Sequence, residues 1–144
     1  MVTRKIIGSI FIILALMLGI IFFYKISFPN GLEGYFKGEY YNQLGPLAIS
    51  IELLIAGIYL FIKHSKANFT LALYGFTALL DPIFNLTGLF TSLVPLYATI
   101  LFIFCAVIAL WLAFSNTFKM GRVSLFGALS SFILGNAVEL FFNY

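Results

Sequence analysis

Charge is what this chain has least of. Only 9% of its 144 residues are Asp, Glu, Lys or Arg, while 62% are hydrophobic. An average globular protein carries about 25% charged and roughly 45–50% apolar residues. A soluble domain of this length could not cover so much apolar surface, and a disordered chain would not carry it. The eight basic residues and the net charge of +3 are too thinly scattered to form a nucleic-acid footprint. Cys105 is the single cysteine, which excludes an intrachain disulfide. His64 is the single histidine; with Cys105 it cannot build a zinc site, and bis-histidine haem ligation within one chain is excluded. No Ser/His/Asp set, thiol–histidine pair or phosphate-cradling loop is present. These absences point away from an enzyme and call for no cofactor and no metal. They leave an integral membrane protein, read as one transmembrane domain over residues 1–144.

What is present is apolar sequence in long runs. A membrane-crossing helix needs about 20 mostly apolar residues, and five stretches meet or approach that length: 6–24, 46–62, 69–91, 95–114 and 123–142. Pro46 and Pro95 suit the first turn of a helix, where the missing N–H is not needed. The first stretch is longer than the roughly 7–15 residues of a signal-peptide core, and no small-residue cleavage site follows it, so it reads as a retained helix. The fold expected is an all-α bundle of five transmembrane helices.

Basic residues give the direction. With the N-terminus in the cytoplasm, Arg4, Lys5, Lys63, Lys66, Lys119 and Arg122 fall on the inner side, and only Lys25 and Lys37 fall outside. Basic excess on the cytoplasmic side is the usual rule, and an odd number of crossings places the C-terminus outside. The reading is a multi-pass protein of the plasma (inner) membrane. The long connection 25–45 holds four glycines with Tyr35, Phe36, Tyr40 and Tyr41, and it reads as a loop on the outer membrane surface.

Three of the five acids lie inside apolar stretches: Glu52, Asp81 and Glu139. An ionised Asp at mid-membrane costs roughly 2.5–3.5 kcal/mol even on a lenient scale. None has a basic partner in its own stretch. Each must therefore be protonated, face other helices or touch water. Residues four apart share a helix face. Gly127, Ser131, Gly135 and Glu139 form one stripe of small residues, suited to close helix packing and ending in an acid. Thr77, Asp81 and Asn85 form a polar stripe, and Ala48, Glu52 and Ala56 a third. Counted from the helix ends, Glu52, Asp81, Asn85, Asn136 and Glu139 all fall between the bilayer centre and the outer surface, with Asn136 and Glu139 nearest the mouth. These five are the candidate ion- or ligand-binding residues, and Gly127, Ser131 and Gly135 the candidate packing residues. Interhelical hydrogen bonding, worth about 1 kcal/mol per contact, is the purely structural use of such groups. Pro82, next to Asp81, removes one helical hydrogen bond and interrupts the third stretch.

Three functions fit this pattern. The first is a non-enzymatic subunit or assembly factor that pairs its helix faces with a membrane-protein partner or a second copy. The second is a small proton- or cation-coupled transporter or channel built on the intramembrane carboxylates. The third is a binding protein for a lipid or other apolar ligand in an outer-leaflet pocket. No residue signature selects one membrane family.

Overall fold

A computed structural model describes residues 2–26, 31–33, 44–88, 94–115 and 122–143. Among them are five α-helices and no strand: α1 (Val2–Tyr24), α2 (Gly45–Ile62), α3 (Ala67–Thr87), α4 (Leu96–Phe114) and α5 (Leu125–Asn143). Most of the outer connection, with Tyr35, Phe36, Lys37, Tyr40 and Tyr41, lies outside the described residues, as do Lys119 and the last expected residues of the third stretch.

Helices α1 to α4 are each long and apolar enough to cross a membrane, whereas α5 contributes the shorter apolar stretch Leu125–Phe141. Helix α3 is central. It packs on α4 and α5 and more lightly on α2, while α1 packs chiefly on α2. Phe22 of α1 also reaches the ring of Phe102 on α4.

Glycine sets the closest approaches. A Cβ on Gly8 would lie 3.0 Å from the carbonyl oxygen of Gly57, and one on Gly57 would lie 2.9 Å from the Cβ of Phe11. The α1 and α2 backbones therefore touch at a glycine–glycine crossing, the close packing that small residues permit where lipid supplies no hydrophobic drive. Gly75 plays the same part on α3, where a Cβ would strike Leu110 of α4. The alanine stripe of α4 (Ala106, Ala109, Ala113) is fully buried. The large apolar residues on the opposite faces, such as Ile13, Ile20, Phe104 and Ile133, are exposed, as lipid contact requires.

The helix boundaries have local causes. Helix α1 begins four residues before the expected stretch, because Arg4 lies on the helix and is buried there. Its guanidinium Nη1 donates to the carbonyls of Leu60 and Phe61 at the end of α2. Those carbonyls lie in the last turn, beyond which the helix has few N–H groups left to offer, and a cation there also complements the helix dipole. Lys63 then takes a left-handed conformation, φ 56°. The amides of Lys63 and His64 return to Leu60 and Tyr59, closing a Schellman turn. His64 stacks on Tyr59 at 4.3 Å, and its Nδ1 accepts from the Lys66 amide, so it fastens the end of α2 to the start of α3. Helix α3 runs unbroken through Pro82 and ends at Thr87, with Gly88 at φ 81° as its left-handed cap. It stops short of residue 91 because that glycine turns the chain. Helix α5 starts two residues later than expected, and the Ser124 hydroxyl oxygen accepts from the Gly127 amide, an N-cap.

Candidate functional site in two carboxyl layers

The candidate acids come from three helices, and the packing of α3 on α5 brings them together. Gly135 of α5 faces Thr77 of α3 so closely that a Cβ there would lie 3.1 Å from the threonine hydroxyl. Four residues further along both helices, Glu139 faces Asp81, and their carboxyl groups are hydrogen-bonded. The two helices run in parallel and in register, so the layers are one turn apart, about 5.4 Å. The lower layer is completed by Glu52 of α2, whose carboxyl is hydrogen-bonded to Thr77. Glu52 is also near enough to Glu139 to interact with it electrostatically.

Burial is nearly complete. Thr77, Glu139 and Asp81 are 0%, 2% and 3% exposed. Glu139, which ends the small-residue stripe of α5, is packed inside because Gly135, one turn earlier, lets α5 settle onto α3. Oε2 of Glu52 is buried without a hydrogen-bond partner.

The chemistry follows from counting hydrogens. Two carboxyl groups in hydrogen-bond contact share at least one proton, since neither can donate when both are ionised. In the lower layer the Thr77 hydroxyl has one hydrogen and donates it to the Leu73 carbonyl at 2.8 Å. A protonated Glu52 can donate to the threonine oxygen while that bond is kept. An ionised Glu52 needs the same hydrogen, so Thr77 must release Leu73. The proton on Glu52 is thus tied to the direction of the hydroxyl hydrogen of the residue against which Gly135 packs. Among the described residues, no group of three His, Cys, Asp or Glu side chains is placed to hold a metal ion.

The remaining candidates are dispersed. Asn85 is exposed and lines a cavity of about 390 Å³ together with Asp81 and Thr99. Asn136 donates to Phe132 of its own helix at 2.9 Å; that is the bond made when such a side chain turns back along the helix. Ser131 is buried and bonded to the Ala128 carbonyl. Among the described residues, Gly127 is nearest its own flank, Ser124 and Val123. Two participants escaped the sequence reading. Thr77 was legible as part of the polar stripe, but its pairing with Glu52 was not. Tyr74, fully buried and donating to the Phe102 carbonyl at 2.9 Å, lacked any local signal beyond a hydroxyl in an apolar stretch.

Compared with family models, curated proteins and solved structures, the chain finds no match.

Proposed function

We propose that the protein is a small proton-coupled membrane carrier or channel, with Asp81 and Glu139 as the proton-binding pair and Glu52–Thr77 as the adjoining step. The observation that carries this reading is the convergence of three carboxyl groups from three helices. They lie in consecutive layers, Glu52 with Thr77 and Asp81 with Glu139. Structural glue needs one donor and one acceptor per contact. Two carboxyl groups hydrogen-bonded to each other must hold a proton between them, and a group that holds a proton in a buried site can exchange it when water arrives. The cavity beside Asp81 supplies a place for that water.

In this reading all five helices cross the plasma membrane, α5 with a slightly short apolar stretch, and the N-terminus is cytoplasmic. Arg4, Lys5, Lys63, Lys66 and Arg122 support this direction, since the helix ends that carry them are neighbours: Arg4 bonds the end of α2, and the Val123 amide bonds the Ala113 carbonyl at the end of α4. A homo-oligomer would give this thin bundle an interior of useful width. The role as a subunit or assembly factor rests on composition, and native mass spectrometry from the membrane of origin tests it directly by showing a partner or none.

The test is proton flux in liposomes. Vesicles holding the protein should dissipate an imposed pH gradient faster than empty ones. Asp81→Asn and Glu139→Gln, checked for helix content and monodispersity, should bring the rate back to that of empty vesicles. Equal rates for wild type, both variants and empty vesicles would remove the reading.

A further inference from the structure

The cavity beside the acid pair has a chemistry of its own. It opens between the end of α3 and the start of α4, and among the described residues its polar lining is Asp81, Asn85 and Thr99. Pro82, Leu86, Val94 and Leu96 also line it. At about 390 Å³ it falls in the size range of small-molecule sites, about 300–1,000 Å³. Its walls are of two kinds: a carboxyl, an amide and a hydroxyl on one hand, and aliphatic surface on the other.

We infer that this cavity binds a small primary ammonium compound, its charged head against Asp81 and its hydrocarbon part against the aliphatic wall; the inference rests on the proton-binding reading of the same Asp81–Glu139 pair.

Charge selects the sign of the ligand. The pair carries one negative charge when it holds one proton and none when it holds two. Asp81 is the member that lines the cavity, so a cation there meets the pair through Asp81, and at 3% exposure it does so through a medium far less screening than water. A singly protonated pair repels an anion. A cation entering a doubly protonated pair displaces one proton, and one entering a singly protonated pair neutralises it, so the charge balances in both cases.

Shape and hydrogen bonding select the kind of cation. A primary ammonium has three N–H donors, and the lining supplies three side chains with oxygen acceptors, those of Asp81, Asn85 and Thr99. A bare metal ion would need a tighter cage of six or more oxygens, and it would leave the aliphatic wall unused. A quaternary ammonium has no N–H to donate to these oxygens.

The experiment is calorimetric titration of the full chain in lipid nanodiscs with propylammonium chloride. Sodium chloride and tetramethylammonium chloride at equal ionic strength serve as competitors, and empty nanodiscs correct for partitioning. Saturable binding of propylammonium alone is expected. Asp81→Asn and Thr99→Val should each weaken it about tenfold or more, the value of a hydrogen bond to a charged group. Thr99→Val changes one hydroxyl to a methyl on a different helix, so it keeps the test decisive if Asp81→Asn fails to fold. No saturable binding, equal binding of tetramethylammonium, or unchanged affinity in a folded Thr99→Val protein would overturn the inference. If propylammonium does not bind but the proton flux persists and is lost in Glu139→Gln, the ammonium site falls and the proton reading stands. If both are absent, both fall.

Discussion

Replacing Gly57 by alanine probes the α1–α2 crossing at the point of least clearance. The new methyl carbon would sit 2.9 Å from Phe11 Cβ, 3.0 Å from Ile12 Cγ1 and 3.1 Å from the Gly8 carbonyl oxygen. Carbon atoms rest about 3.5–4.0 Å apart. A Cβ and a carbonyl cannot swing aside as the tip of a side chain can, so α1 as a whole must move off α2. Overpacking of this kind costs about 1–3 kcal/mol, and the backbone contacts place this case near 2–3. Alanine recovers about 0.8–1 kcal/mol through its better helix propensity. The net expectation is a loss of about 1–2 kcal/mol. Gly19→Ala is the matched control on the same interface. Its Cβ would meet Ser50 Cβ at 3.8 Å and Leu47 Cδ1 at 3.9 Å, which is ordinary contact. The propensity gain should therefore survive, leaving that variant neutral or more stable by up to about 1 kcal/mol. Both are read by equilibrium unfolding in mixed micelles of increasing SDS fraction, followed by circular dichroism. A Gly57→Ala protein as stable as wild type, or less impaired than Gly19→Ala, would refute the crossing as described.

Two further substitutions test the cap and the buried tyrosine by the same unfolding measurement. Arg4→Ala removes both donations to the end of α2 and the charge that complements its dipole, and should cost about 2–3 kcal/mol, with Arg4→Lys recovering part of it; a change below about 0.5 kcal/mol would mean that the guanidinium contributes nothing. Tyr74→Phe deletes one hydroxyl from the α3–α4 contact and should cost about 0.5–1.5 kcal/mol, while a stabilised variant would show that the bond to Phe102 is not formed in the membrane.

The five helices were legible because each is a long, mostly apolar run, and hydropathy needs no partner to be read. Their ends were less so. Arg4 reads as a flanking charge until the carbonyls of Leu60 and Phe61 are seen to need a donor, and Gly88 reads as one more small residue until its left-handed turn stops α3. Within the site, the four-residue spacing correctly put Asp81, Thr77 and Glu139 on polar or small faces, since spacing along one helix is a property of one helix. Which face meets which depends on Gly135 and on the register of α5 against α3, and no pattern within a single segment encodes that. Asn136 shows the converse. Its side chain satisfies itself on Phe132, an option open to any Asn in a helix and indistinguishable in sequence from a residue that serves a site. Gly57 and Gly75, which set two of the closest contacts, stand among many small residues and acquire meaning only opposite Gly8 and Leu110.

The way the helices are shared out has a mechanical consequence. Helices α1 and α2 are clasped at Gly8 and Gly57, and α3, α4 and α5 are clasped at Gly75 and Gly135. The lighter α2–α3 contact is the joint between a pair and a trio. Glu52 sits on one side of that joint and Thr77 on the other. The hydrogen that Thr77 can offer to only one neighbour at a time therefore lies where the pair meets the trio, so the protonation of Glu52 bears on a contact that the two glycine clasps do not secure.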